Sequence, residues 1–243
     1  MAPRIGVLLF PGSNCEHDVC EAVRTLGGEA EILWHGESGL RDVDAVVIPG
    51  GFAHGDYLRP GAIARFSPAM SAVTEFAMAG GPVVGICNGF QVLTEAGLLP
   101  GALQKNRGLK FLCQMTELRV ESTDSVLTSA ADAGAVLRIP INHFEGNYTC
   151  SPETLAALQA DERVILRYVT NPNGSVDDIA GIVNGARNVV GLMPHPERAS
   201  NGLLGSTDGL CLLRSLLHAA GAPVGAEPRA EPADQARLSR QPG

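Results

Sequence analysis

The stretch Val83-Val84-Gly85-Ile86-Cys87-Asn88-Gly89-Phe90-Gln91 holds a cysteine with glycine two residues away on either side, between a short apolar run and the start of a helical pattern. A strand that turns sharply into a helix strains the residue at its corner and brings neighbouring chain close. Glycine at 85 and 89 removes the side chains that would collide there. Cys87 would then sit at a helix N-terminus, where unpaired N–H groups favour thiolate over thiol. The Asn88 N–H would be left to donate to an oxyanion. The same residues also suit a small buried hydrophobe in a glycine-containing turn, so the rest of the chain has to decide.

A nucleophilic thiolate needs a base. Of six histidines, at 17, 35, 54, 143, 195 and 218, His195 has the most telling neighbours, in Met193-Pro194-His195-Pro196-Glu197. Each proline biases the residue before it toward extended geometry. In an extended chain, side chains at i and i+2 share a face, so Glu197 reaches one imidazole nitrogen and leaves the other for Cys87. That is a nucleophile, base and orienter; the competing reading is a surface pair in a proline-stiffened loop. A third segment, Val46-Val47-Ile48-Pro49-Gly50-Gly51-Phe52, is a strand ending in glycines. A Gly51 or Phe52 amide beside that of Asn88 would complete an oxyanion hole, in the crevice where open α/β sheets bind ligands. An ordinary tight turn would read the same way.

These segments need a scaffold whose strand ends converge. Ile5 to Phe10, Ala30 to Trp34, Ala45 to Ile48 and Val83 to Ile86 are short and rich in Val, Ile and Leu, as buried parallel strands are. Val19, Val23 and Leu26 repeat at helical spacing, and a second helical stretch runs from about 62 to 79, interrupted or kinked at Pro68. This alternation predicts an α/β fold with an open, mostly parallel central sheet and flanking helices. The second half reads as more antiparallel. Thr116 to Val120, Val136 to Ile139 and Arg163 to Val169 are strand-like, Ser151-Pro152 opens a helix, and Asn184-Gly185 signals a hairpin between Ile179 to Val183 and Asn188 to Met193. A last helix is expected from about 207 to 220. Residues 221 to 243, with four prolines, hold too little apolar surface to order themselves.

Composition narrows the function. With 243 residues the chain can bury a full core, and 26 acidic against 18 basic residues give a net charge of -8. That balance argues against a nucleic-acid surface or an anionic-membrane footprint. No signal-peptide anatomy or membrane-length apolar run occurs, so a cytoplasmic location is expected. Six cysteines without a C-x-x-C pair indicate neither a disulfide framework nor a structural zinc site, and no metal is expected. Neither a G-x-x-x-x-G-K-[ST] loop nor a G-x-G triplet occurs, which places any ATP chemistry on a partner.

Gly85-Ile86-Cys87-Asn88-Gly89-Phe90-Gln91 together with Pro194-His195-Pro196-Glu197 resembles the class I glutamine amidotransferases, on a flavodoxin-like fold. Further segments resemble the branch of glutaminase subunits serving phosphoribosylformylglycinamidine synthase: Pro11-Gly12-Ser13-Asn14-Cys15, Gly55-Asp56-Tyr57-Leu58-Arg59, Gly61-Ala62-Ile63-Ala64-Arg65-Phe66 and Asn173-Gly174-Ser175. The resemblance covers about residues 4 to 220 and implies one amidotransferase domain over 1–220. It implies Cys87 as nucleophile, His195 as base and acid, and Glu197 as orienter, with glutamine as substrate and Gln91 and the Gly51 loop lining its site. It also implies a large synthase subunit that uses ATP and magnesium to convert formylglycinamide ribonucleotide to formylglycinamidine ribonucleotide, and a small third subunit. Asn142-His143-Phe144-Glu145-Gly146 departs from the more usual Ala-His-Gly-Glu-Gly and leaves His143 and Glu145 without an assigned role.

Overall fold

The structure, a computed structural model, describes residues 2–222. The expected unstructured tail lies, from residue 223 onward, outside the described residues. In chain order the regular elements are β1 (Arg4–Leu9), α1 (Glu16–Thr25), β2 (Glu29–Trp34), β3 (Ala45–Ile48), α2 (Pro68–Met78), β4 (Val83–Ile86), α3 (Asn88–Glu95) and β5 (Ala102–Gln104). There follow β6 (Leu112–Val120), β7 (Val136–His143), β8 (Asn147–Thr149), α4 (Pro152–Ala160), β9 (Val164–Tyr168), β10 (Ile179–Val183), β11 (Val189–Leu192) and α5 (Gly209–Ala219).

Nine strands form one sheet in the order β2-β1-β3-β4-β11-β10-β9-β6-β7, with β5 and β8 paired separately. The first five run parallel, and the rest join antiparallel. The α/β class therefore holds, and the two halves differ as their sequences do. Strands β3, β4 and β11 are buried at every residue, whereas β7 alternates buried with exposed or half-buried positions, so only one of its faces meets the core.

Three local expectations are resolved. At Pro68 the helical stretch is interrupted and not kinked: Ser67 is extended and Pro68 opens α2, where its missing N–H costs nothing. The Asn184-Gly185 hairpin forms between β10 and β11, but over five residues, with Arg187 at φ 65 taking the left-handed position. Asn184 Oδ1 accepts the N–H groups of Asn188 and Val189 at 3.1 Å each, so the asparagine side chain makes the turn. Ser151 caps α4 as expected, its Oγ accepting the Thr154 N–H at 3.2 Å.

Candidate active site

Four loops leave the carboxyl ends of β1, β3, β4 and β11 on the same edge of the parallel half, around the point where the strand order reverses between β1 and β3. At the end of β4, Cys87 has φ 51 and ψ −103, a backbone conformation that non-glycine residues rarely adopt. Its N–H still continues the ladder to Leu192 O at 2.8 Å, while its carbonyl accepts from Phe90 and Gln91 as the first turn of α3 begins. The flanking glycines are required by contact. A Cβ on Gly89 would collide with the Ile48 carbonyl, and one on Gly85 with the Gly89 backbone. Cys87 is 5% exposed, and its sulfur lies 3.7 Å from Asn142 O on β7.

The Asn88 N–H finds no backbone acceptor, and neither does that of Gly51. The Phe52 N–H, by contrast, is committed to Gly12 O at 2.8 Å. Of the two loop amides considered from the sequence, Gly51 alone remains available. The Gly51 φ of +149 and its close approach to Gly12 and Ser13 explain the glycine.

His195 follows β11, its N–H donating to Pro140 O at 2.9 Å. Its Nδ1 is 2.6 Å from Glu197 Oε1, with both residues 1% exposed. The expected contact is made, but not by an extended chain. Pro196–Ala199 form a 3-10 turn, and Pro196 stands at its first position. Burial works against the imidazolium, yet Glu197 and then the Cys87 and Cys15 sulfurs outweigh it, raising the His195 pKa well above the ordinary histidine value. Nε2 is buried without a hydrogen bond, as is Glu197 Oε2. A ring held at Nδ1 by a carboxylate, with Nε2 left over beside a thiol, can shuttle a proton.

Asn88 and Gln91 brace the neighbouring loops. Asn88 Oδ1 accepts the Ala53 N–H at 3.0 Å, and its Nδ2 donates to Gln91 Oε1 at 2.8 Å and Asp56 Oδ1 at 3.2 Å. Gln91 Nε2 donates to Glu145 O at 2.6 Å. Burial, then the Glu145 charge, pushes Asp56 up to about 6 against the pull of Asn88. Arg59 holds the far end of this loop to Glu95, and Arg65 donates to Glu95 O at 2.9 Å.

His143 receives a structural explanation. Asn106, 1% exposed, donates to Lys110 O and His143 O at 2.9 Å each, and its Oδ1 faces His143 Nδ1 at 3.1 Å. Burial, then the His195 charge, lowers the His143 pKa to about 4. Asn173-Gly174-Ser175 braces the same loop, with Asn173 Nδ2 donating to Gly146 O at 2.8 Å and Ser175 Oγ accepting the Tyr148 N–H at 3.0 Å. Spacing gives no signal for Asn106, or for Cys15, which meets His195 and Arg198 only through the fold. Cys15, His195 and Glu197 bring metal-ligand atoms within 4.8 Å of one another. Arg198 Nη2, 3.3 Å from Cys15 Sγ, places a cation there that opposes a divalent ion.

An elbow cysteine and a histidine–glutamate pair on the carboxyl edge of such a sheet define a class, and the chain belongs to it: the CobB/CobQ-like glutamine amidotransferase domain matches residues 2–207. Over 221 residues, 91% of this chain and the whole of the relative, it is 58% identical to phosphoribosylformylglycinamidine synthase subunit PurQ of Rubrobacter xylanophilus. A protein of the same name from Koribacter versatilis is 54% identical, with 89% of this chain and 98% of that one covered. Among solved structures, a chain of PurLQS from Thermotoga maritima superposes with a TM-score of 0.84 at 42% identity, covering 90% of this chain and 99% of that one.

Proposed function

We propose that this chain is the glutaminase subunit of a phosphoribosylformylglycinamidine synthase, with residues 1–220 as its amidotransferase domain. The Cys87 thiolate attacks the side-chain amide carbon of glutamine, and the Asn88 and Gly51 N–H groups receive the oxyanion. The imidazolium of His195 protonates the departing nitrogen, ammonia leaves, and a γ-glutamyl thioester remains on Cys87. Water then attacks the thioester, giving its proton to His195. Glutamate leaves and the thiolate is restored. Glu197 holds the ring throughout and stabilises its charge. Phe52 flanks the site through its backbone, while Asn88 and Gln91 shape the pocket for glutamine.

Ammonia passes in this reading to a large synthase subunit, which uses ATP and magnesium to make formylglycinamidine ribonucleotide within a cytoplasmic assembly that includes a small third subunit. The likeness to a chain of PurLQS supports such partners. So do Tyr57 and Leu58, 74% and 90% exposed on the loop that Asn88 clips. Among the described residues no helix is long and apolar enough to cross a membrane.

The observation that carries the reading is the strained Cys87 elbow beside the buried His195–Glu197 pair. Its test replaces Cys87 with alanine in the reconstituted complex and compares glutamine with ammonium salts as nitrogen donor. Glutamine-dependent synthesis should fall by about a thousandfold or more while ammonium-dependent synthesis persists. Retained glutamine-dependent synthesis would refute the reading.

A further inference from the structure

The mechanism above leaves two residues unused although both reach the His195–Glu197 pair. Arg198 follows Glu197 directly, and its N–H closes the turn on His195 O at 3.1 Å. Its side chain runs to α1, where Nε donates to Asp18 Oδ2 at 3.0 Å and Nη2 to Cys15 Sγ at 3.3 Å. Cys15, 2% exposed, stands just before α1 and donates its own S–H to Asn14 Oδ1 at 3.2 Å. The other side of the sulfur meets the catalytic ring over Gly50. A Cβ added to Gly50 would lie 2.7 Å from His195 Cε1 and 3.0 Å from Cys15 Sγ, so ring and sulfur occupy one small space that only glycine leaves open.

We infer that Arg198 is a positioning residue for glutamine hydrolysis: anchored by Asp18 and acting through Cys15, it fixes the His195 ring and sets a positive charge behind Glu197. The inference rests on the proposed roles of Cys87, His195 and Glu197. A guanidinium suits the task because its planar fork bonds a carboxylate and a sulfur from one rigid group, which a lysine ammonium cannot reproduce. Cys15 suits it because its thiol is pushed up, chiefly by burial, and stays protonated, leaving the sulfur lone pairs for Arg198. Arg198, Glu197 and Asp18 also line one cavity of about 450 Å³, so the cation and the orienting residue share a wall. The Arg198 side chain is 31% exposed, and solvent screens part of its charge.

Charge and geometry separate in the test. Removing a fixed cation raises the proton affinity of every group beside it, so both limbs of the kcat/KM–pH profile should move to higher pH. In the reconstituted complex, Arg198→Met should lower kcat by about tenfold to a hundredfold with KM within about twofold, and move both limbs up by about half a pH unit. Arg198→Lys should return the limbs to their wild-type positions yet restore kcat only in part. Cys15→Ala keeps the cation and removes a sulfur that supports the His195 imidazolium, so kcat should fall while neither limb moves to higher pH. It serves as the second variant if Arg198→Met does not fold. A profile unmoved in Arg198→Met, full recovery of kcat in Arg198→Lys, or wild-type kcat in Cys15→Ala overturns the inference. Alkylation by a glutamine analogue, followed in the wild-type complex, keeps the two readings apart. Failure to modify Cys87 there counts against the proposed function, and normal modification with an unmoved Arg198→Met profile counts against Arg198 alone.

Discussion

Two thiols flank His195, and the chain builds them differently. Cys87 sits at φ 51 and ψ −103 with a helix behind it and the Asn88 N–H unspent. Cys15 also precedes a helix, but at φ −109 and ψ 7, with its sulfur already bonded to Asn14 and Arg198. Proximity to His195 is therefore shared, and what distinguishes the proposed nucleophile is the corner. A strained conformation of this kind costs on the order of 1–3 kcal/mol and persists only where its surroundings enforce it. At Cys87 those surroundings are the β11 ladder on one side and the Gly85–Gly89–Ile48 contact on the other.

The largest consequence is chemical selectivity. An electrophilic glutamine analogue should modify Cys87 about a thousandfold faster than Cys15, read by mass spectrometry of the two peptides over time. Comparable rates, or Cys15 first, would break the comparison and return the question of which thiol acts.

Sequence spacing conveyed the Cys87 side of this contrast and almost none of the Cys15 side. Gly85, Cys87 and Gly89 are local: their geometry is dictated within one strand-to-helix turn, so residue types within a five-residue span carry it. His195 and Glu197 were legible for a similar reason, although the contact uses a 3-10 turn where extended chain was expected, because proline at a first helical position is as favourable as proline in a strand. Strands β3, β4 and β11 were legible as unbroken apolar runs. Cys15 and Arg198 are 183 positions apart and meet only because β1 and β11 deliver their loops to the same edge. Asn106 and His143 meet across 37 positions in the same way. The Phe52 amide looked available because nothing in its own segment shows that Gly12 O would claim it.

A smaller effect tests the enforcement of the corner. Gly89→Ala puts a methyl group against the Ile48 carbonyl, a backbone atom that cannot swing aside. It should cost about 1–3 kcal/mol of stability, as overpacking does, and lower kcat along with it. Gly185→Ala is the internal control, since no atom lies within 4 Å of the added carbon and its φ is not positive. Chemical denaturation of both variants checks the pair. Equal losses would mean that Gly89 is not held by contact and that the corner owes its strain to something else.

The smallest effect concerns His143, the histidine beside the site that is kept neutral while His195 is kept charged. Its folded pKa of about 4 lies below the ordinary 6.5, with burial as the main cause and the His195 charge adding to it. Above pH 6.5 both folded and unfolded chains leave it neutral, and its contribution to stability is fully present. As pH falls from 6.5 through about 4, the unfolded chain takes up the proton first and that contribution is lost. His143→Gln keeps a donor that can reach Asn106 Oδ1, 3.1 Å from the native ring nitrogen, and removes the titration. Its unfolding free energy should therefore fall less steeply than the wild-type value across that window, while the two curves run parallel above pH 7. Identical slopes from pH 6.5 to 4 would show that His143 takes up its proton as readily in the fold as outside it. The neutral wall opposite the His195 imidazolium would then not exist.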